Sequence, residues 1–185
     1  MSEVLTQKKE PSSATLVIVL TTISLVTALL LGLVNMVTAP QIELNSEKKN
    51  AEAMQAVLPT EDGVYTEVDY TGDDATVQAV YQAGDTGYVV QVKPATSFSG
   101  TFSVMVGVSS DGTCTGISIV ETGETSGLGS NASKPDFQAQ FVGKTGEVKV
   151  TKDGGDIDAL TGATITSRGV CEAVTSAIAA AASMG

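Results

Sequence analysis

The chain has 185 residues with 21 acidic and 10 basic side chains, which gives a net charge of −11, and it contains neither His nor Trp. Because an excess of acidic groups repels phosphate, this composition argues against nucleic acid or anionic lipid as a partner. The lack of His excludes a Ser-His-Asp triad and a metal site built on imidazole.

An apolar segment dominates the N-terminal part of the sequence. Residues 14–39 include 26 positions and no charged side chain. A helix of this length rises about 39 Å, at ~1.5 Å for each residue, and so can cross a ~30 Å hydrocarbon core. A cleaved signal peptide is the alternative, but its apolar part spans roughly 7–15 residues and ends in a small-residue cleavage site. The length of the run favours a retained transmembrane helix at 14–39 that lies in the lipid bilayer.

The lysines on the two sides of the span bear on its orientation. Lys8 and Lys9 precede it, and Lys48 and Lys49 follow it, so the positive-inside rule gives nearly equal counts. The first pair lies closer to the span and in a short tail. This favours a cytoplasmic tail at 1–13 and a domain on the outer side of the cell membrane.

Helical spacing resumes after the span. Pro40 interrupts the apolar pattern, and the apolar residues of 41–58 recur at intervals of three and four. Pro59 then ends the pattern, since the residue before a proline is disfavoured in helical conformation. We therefore expect a separate connecting helix within residues 40–59.

The middle of the chain has the period of β-strands. Apolar residues alternate with polar ones in 64–70 and in 102–108, and another strand is predicted over 87–92. Asp111-Gly112 is a turn signal, and alternation returns at Ile117 and Ile119. This order predicts a β-hairpin.

The remainder mixes loop, strand and helix. Residues 121–135 contain three glycines and are predicted to form a loop, whereas 144–150 are predicted to form a short last strand. A helix is expected from about Ser167 to Ser183, because its apolar residues lie on one face. Strands flanked by helices indicate an α+β fold, with a single domain at 60–185 and antiparallel strands.

The two cysteines do not form a recognisable metal motif. Cys114 and Cys171 are 57 positions apart, which fits no metal-binding spacing. Cys171 shares a helical face with apolar residues, so we expect it to be a small buried group. The sequence does not decide whether the two cysteines form a disulfide.

Hydroxyl and small residues are concentrated immediately before the last helix. Thr161, Thr164, Thr166 and Ser167 surround Gly162-Ala163. Such residues commonly cap a helix N-terminus. The same N-terminus also offers free N–H groups and positive dipole charge to a phosphate. Spacing alone does not decide between a cap and a phosphate site.

The segment DALTGAT, from Asp158 to Thr164, resembles the flavinylation motif D-x-x-[ST]-G-A-[ST] of FMN-binding domains at all seven positions. In that family a flavin transferase takes FAD, releases AMP and leaves FMN joined by a phosphoester to the last Thr of the motif. The resemblance implies covalent FMN on Thr164, contacts from Thr161, Gly162 and Ala163, and recognition of Asp158 by the transferase. Thr166 lies outside the motif.

A second segment resembles the ETPGLG loop in the G subunit of Rnf electron-transport complexes, which is related to the C subunit of the sodium-translocating NADH:quinone reductase. It starts at Glu124 and reads ETSGLG, with Ser126 in place of Pro and Gly123 where a His is often found. The resemblance implies cofactor-binding roles for the other five of these residues: Glu124, Thr125, Gly127, Leu128 and Gly129.

The resemblance implies an electron-relay subunit with covalent FMN in a membrane-bound, ion-translocating ferredoxin:NAD oxidoreductase, with the other membrane subunits as partners. Two alternatives remain from the residues alone. One is a stand-alone, membrane-anchored flavoprotein reductase outside the cytoplasm. The other is an anchored binding module without redox chemistry, in which TGAT only caps a helix.

Overall fold

The computed structural model describes residues 12–184, so most of the predicted tail at 1–13 lies outside the described residues. The chain divides into two compact units, of which the first ends at Ser46 and the second begins at Glu47. Each unit is described separately below.

Helix α1 (Ser13–Val57) begins in the first unit and is continuous through Pro40. The predicted interruption at Pro40 is therefore absent from the structure. Proline removes one backbone hydrogen bond at a cost of about 3 kcal/mol. The helix nevertheless continues on both sides of Pro40, where the other turns keep their backbone hydrogen bonds.

The first unit is an apolar helix whose side chains are exposed. Its large apolar residues from Leu16 to Val37 are all about half exposed or more. By length and composition this helix can cross a membrane. Exposing so many apolar side chains to water is unfavourable, whereas a hydrocarbon environment satisfies them.

The second unit contains a five-stranded antiparallel sheet in which each strand pairs with the next one along the chain. The strands are β1 (Thr66–Val68), β2 (Val77–Gln82), β3 (Gly87–Val92), β4 (Phe102–Ser109) and β5 (Cys114–Thr122). The predicted β4–β5 hairpin and the strand over 87–92 are confirmed. Sequence reasoning missed β2, because a bulge between Val77 and Ala79 interrupts its period of two.

Helix α3 (Thr164–Met184) packs against one face of the sheet. The side chains between the helix and the sheet form the main hydrophobic core. The helix begins three residues before the predicted start at Ser167. The other face packs against the end of α1 through Ala53, Val57 and Leu58. Here Gly107 allows a close approach, since a Cβ on it would clash with the Val57 carbonyl oxygen.

The predicted strand at 144–150 is wrong. Val148 and Val150 are buried, but Val148 donates its amide to the Thr175 hydroxyl of α3 at 3.0 Å rather than to a strand. Val150 makes only an isolated bridge with Ile157. The alternation in this segment reflects burial against a helix, and burial alone imitates the pattern of a paired strand.

The predicted loop at 121–135 is confirmed only over residues 123–128, because β5 extends to Thr122 and short helical turns begin at Gly129. A 3₁₀ turn covers Gly129–Ser133, helix α2 covers Pro135–Gln138, and a second 3₁₀ turn covers Ala139–Phe141. Phe137 and Phe141 pack edge to face, with ring centroids 5.4 Å apart. These turns bury both rings in the core beside α3.

Both cysteines are free thiols buried in this core. Burial raises the pKa of Cys114 to about 11. The pKa of Cys171 rises to about 12, first because of burial and then because of the negative charges of Asp153 and Asp156. The expectation that Cys171 is a small buried group is confirmed.

Candidate functional site

The start of α3 is the centre of the candidate site. Gly162 has a φ of +76°, which glycine adopts without the steric cost that a Cβ brings. Ala163 then donates its amide to the Leu160 carbonyl at 3.0 Å, and Thr164 is the first helical residue. The tight turn therefore delivers Thr164 directly to the N-terminus of a helix of 21 residues.

The first turn of α3 has backbone N–H groups that make no hydrogen bond within the helix. The first of the hydrogen bonds along this helix runs from the Ser167 amide to the Ala163 carbonyl at 3.0 Å. The amides of Thr164, Ile165 and Thr166 precede it and have no carbonyl within the helix to bind. Their positive ends can stabilise an anion at this point.

The three hydroxyl groups of this turn differ in what they contact. Thr166 Oγ1 donates to Glu124 Oε2 at 2.6 Å. Ser167 Oγ accepts from the Leu160 amide at 2.9 Å and donates to the Ala163 carbonyl at 3.0 Å. The Thr164 hydroxyl has no hydrogen-bond partner within residues 12–184, and Thr164 is only half-buried. Of the three, Thr164 alone is both accessible and uncommitted.

The ETSGLG segment folds against this turn. A Cβ on Gly129 would lie 2.6 Å from Glu124 Oε2 and 2.7 Å from Thr166 Oγ1, so only glycine fits beside that hydrogen bond. A Cβ on Gly162 would meet Leu128 Cδ2 at 3.2 Å. The two glycine-containing segments that sequence analysis selected thus lie in direct contact.

Glu124 lies inside the protein. It is 8% exposed, and its Oε1 accepts hydrogen bonds from the Phe98 amide at 3.0 Å and from the amide and hydroxyl of Ser99 at 3.2 Å. Burial raises the pKa of Glu124, but the hydrogen bonds from Thr166, Ser99 and Phe98 outweigh burial and lower it. All of these donors belong to the protein, so the carboxylate organises the site from within.

Thr125, Gly127 and Thr161 are exposed at the surface, whereas Gly129 and Ala163 are buried. Thr125 accepts hydrogen bonds through its backbone carbonyl from the Leu128 amide at 3.1 Å and the Ser130 amide at 3.3 Å, which closes the turn. Gly127 has a φ of +77° in the same turn. Thr161 is exposed next to Gly162.

Asp158 is held by its backbone while its side chain is exposed. Its amide donates to Gln140 Oε1 at 2.8 Å, and its carbonyl accepts from Gln140 Nε2 at 3.4 Å. A cavity of about 280 Å³ lies beside it, lined by the following residues: Asn131, Lys134, Asp136, Phe137, Gln140, Asp158, Ala159, Leu160 and Thr161. The carboxylate of Asp158 is thus presented outward from a fixed backbone.

The cation nearest in sequence to the motif is already paired. Arg168 donates from Nε to Asp153 Oδ2 at 2.6 Å and from its terminal nitrogen to Asp153 Oδ1 at 2.7 Å. These hydrogen bonds lower the pKa of Asp153 and raise that of Arg168. The first turn of α3 therefore contributes positive potential at Thr164, and Lys134 lines the cavity beside the neighbouring Thr161.

Sequence reasoning missed one element of the site, the loop of residues 94–99 between β3 and β4. Its Phe98 is 69% exposed, and its amides bind Glu124 and Glu172. The pattern before β4, with Pro94 and Gly100, signals a turn but not what the turn contacts.

The residues of this site fit the FMN that the resemblance implies. An uncommitted hydroxyl and free helix amides suit a phosphoester. Leu128 and Ile165 are 43% and 47% exposed beside the same turn, and apolar side chains suit a flavin ring. Gly162 leaves room where a Cβ would crowd Leu128.

Comparisons with known proteins support the binding of FMN by this domain. The family model of the FMN-binding domain matches residues 97–179. The chain is 35% identical over 171 residues to the G subunit of the ion-translocating oxidoreductase complex of Methanosarcina acetivorans, covering 88% of this chain and 90% of that one. It is 33% identical over 182 residues to the G subunit of the Na(+)-translocating ferredoxin:NAD(+) oxidoreductase complex of Acetobacterium woodii, covering 87% of each chain.

One solved structure is also similar. The crystal structure of the C subunit of the Na(+)-translocating NADH-quinone reductase from Parabacteroides distasonis matches with a TM-score of 0.44 and 28% identity, over 67% of this chain and 73% of that one.

Proposed function

Since the chain belongs to the family of G subunits of ion-translocating oxidoreductase complexes and contains an FMN-binding domain, we propose that it relays electrons through one FMN joined by a phosphoester to Thr164. One observation carries the proposal. The Thr164 hydroxyl is uncommitted, half-buried and located at the start of α3, at the last position of the DALTGAT segment.

The local chemistry favours Thr164 over its neighbours. Attachment replaces the hydroxyl hydrogen with a phosphoryl group, so the oxygen must be reachable and not committed to an internal hydrogen bond. The free amides of 164–166 would then hold the phosphate oxygens, and the dipole of α3 would stabilise their charge. A covalent link also prevents loss of the cofactor into the surroundings.

Attachment requires a second protein. We assign Asp158 to recognition by a flavin transferase, because its carboxylate is exposed while Gln140 holds its backbone. A side chain presented in this way contributes little to the fold and is available to an enzyme that approaches from outside.

The flavin supplies the redox chemistry, and the protein supplies attachment, position and electrostatics. Thr164 would fix the phosphate end. Leu128 and Ile165 would face the ring, and Glu124 would keep the ETSGLG segment packed against the first turn of α3. The buried carboxylate of Glu124 opposes added negative charge near the site, whereas the helix dipole favours it.

The apolar helix and the relatives support a membrane setting. We propose that residues 14–39 span the bilayer and are retained, that 40–59 connect the span to the domain, and that 60–185 lie on the outer side. The partners would be the other membrane subunits of an Rnf-type complex, since the relatives in Methanosarcina acetivorans and Acetobacterium woodii are named as subunits of such complexes.

The test is the intact mass of the full chain purified from membranes of a host with a flavin transferase. An adduct of one FMN minus one water, about 438 Da, is expected. Peptide mapping should locate it between Lys152 and Arg168. An unmodified chain from such a host would reject covalent attachment. Purification without any other membrane subunit would instead favour a stand-alone reductase.

A further inference from the structure

The 94–99 loop is fixed to the protein by two carboxylates that approach it from different elements. Glu172, on α3, accepts hydrogen bonds from the Ala95 amide at 2.8 Å and the Thr96 amide at 3.1 Å. Glu124, after β5, accepts from the amides of Phe98 and Ser99. The loop is therefore attached at both of its ends, although it lies at the surface.

The loop also contacts α3 directly. A Cβ on Gly169 would clash with the Thr96 carbonyl oxygen, so the two backbones touch at a position that only glycine permits. The loop therefore runs alongside α3 from Thr166 to Glu172. At the first of these positions, the Thr166 hydroxyl and the Phe98 amide both donate to the carboxylate of Glu124. At the second, Glu172 accepts from the Ala95 amide. These positions lie on the first turns of α3, which begin with Thr164.

The fixed loop presents an aromatic side chain to the outside. Phe98 is 69% exposed and so gains little from burial in the chain itself. Surface loops are ordinarily mobile, yet four amides of this one are bound by carboxylates. Such an arrangement keeps the position of Phe98 constant relative to the start of α3 and leaves its exposed ring available to contact a group bound there.

We propose that Glu124 and Glu172 are positioning residues that hold Phe98 against the flavin ring carried on Thr164. The inference rests on the proposed attachment and deepens it by naming the aromatic contact. Two flat aromatic systems pack favourably in offset stacked or edge-to-face geometry. Leu128 and Ile165, on the adjacent parts of the site, would complete the apolar surroundings of the ring.

The experiment uses the full-length, flavin-loaded protein and three readouts: intact mass, flavin fluorescence, and the reduction potential of the bound flavin. The variants are Phe98→Ala, Phe98→Tyr and Glu172→Gln. Glu147→Gln is the matched control, because Glu147 is an exposed carboxylate that pairs with Lys149 outside the site.

Loss of the stacked ring should change the flavin fluorescence and shift the reduction potential in Phe98→Ala, while the adduct mass is retained. Phe98→Tyr keeps an aromatic ring beside the flavin and should keep the reduction potential close to that of the wild type, while its phenol should quench the fluorescence further by electron transfer to the excited flavin. Glu172→Gln should shift fluorescence in the same direction as Phe98→Ala. In this variant an NH₂ group, which only donates, replaces one of the carboxylate oxygens that accept hydrogen bonds from the loop amides. The control should match the wild type in all three readouts.

Three results would overturn the inference. If Phe98→Ala and Glu172→Gln keep the wild-type fluorescence and potential while other subunits no longer co-purify, the loop is a protein-binding surface. If the adduct mass is present in every variant and no readout changes, the carboxylates only stabilise the fold. An adduct missing from the wild type would reject the attachment at Thr164 and this inference with it.

Discussion

Thr166 Oγ1 donates a 2.6 Å hydrogen bond to Glu124 Oε2, a residue 42 positions earlier in the chain. This contact joins the DALTGAT segment to the ETSGLG segment and removes the Thr166 hydroxyl from the set of available groups. Two similar threonines, two positions apart, therefore differ in whether their hydroxyl groups are hydrogen-bonded within the protein.

Replacement of the two threonines should separate attachment from packing. Thr164→Val nearly preserves shape but removes the accepting oxygen, so the FMN adduct should be lost while the fold is retained. Thr166→Val should keep the adduct but lose about 1–3 kcal/mol of stability, because a buried carboxylate loses a donor. Intact mass and thermal unfolding measure the two effects. Flavin retained in Thr164→Val but lost in Thr166→Val would contradict the assignment.

Asp158→Asn should reduce flavin loading without changing the thermal midpoint of unfolding. The Asp158 side chain is exposed and its backbone contacts with Gln140 do not depend on the carboxylate. The fraction of chains with the adduct is the measurement. Asp156→Asn is the matched control, since Asp156 lies in the same segment but outside the motif and pairs with Lys144. Equal loading of both variants and the wild type would show that the transferase does not read Asp158.

Acid should weaken the site through Glu124. Its pKa in the folded protein is lower than the ordinary value of 4.5. Its stabilising contribution is therefore fully present above 4.5 and is lost as the pH falls through the folded pKa. The free energy of unfolding, measured in denaturant at several pH values, should fall below pH 4.5. This fall should be smaller in Glu124→Gln, which starts less stable and does not titrate. An identical acid dependence in the variant would remove Glu124 from the explanation.

The two thiols should resist alkylation in the native protein. Burial raises the pKa values of Cys114 and Cys171 to about 11 and about 12, from an ordinary value of 9.0. Iodoacetamide at pH 8 should label neither until denaturant is added. A raised thiol pKa stabilises the fold below pH 9.0, and this contribution is lost as the pH rises toward 11–12. The free energy of unfolding should therefore decrease above pH 9. Rapid labelling of either native thiol would contradict the burial.

Protease added to spheroplasts tests the proposed topology. Cleavage should occur within residues 60–185 from the outside, and the fragment left in the membrane should still contain residues 14–39. Permeabilised cells provide the control for protease access. A domain that is protected in spheroplasts but digested in inside-out vesicles would reverse the orientation.

Features that depend on local patterns could be predicted from the amino-acid order. Apolar periodicity located the strands β3, β4 and β5 and the last helix, because side chains repeat every two or 3.6 residues along these elements. The DALTGAT segment selected Thr164 and Asp158 without any knowledge of distant contacts. The predicted break at Pro40 is wrong, because one lost hydrogen bond does not end a helix that continues on both sides.

The contacts of each polar group became known only from the folded chain. Val148 alternates like a strand residue but binds the hydroxyl of Thr175 on α3, 27 positions away. The ETSGLG segment predicts a cofactor contact at Glu124. In the folded chain the carboxylate of Glu124 accepts hydrogen bonds from Thr166 and from the 94–99 loop. Such partners lie far apart in sequence, and a buried charge is stabilised by whichever donors the fold brings to it. The local pattern therefore predicts Thr164 as the attachment residue, whereas long-range packing determines that the Thr166 hydroxyl is bound to Glu124.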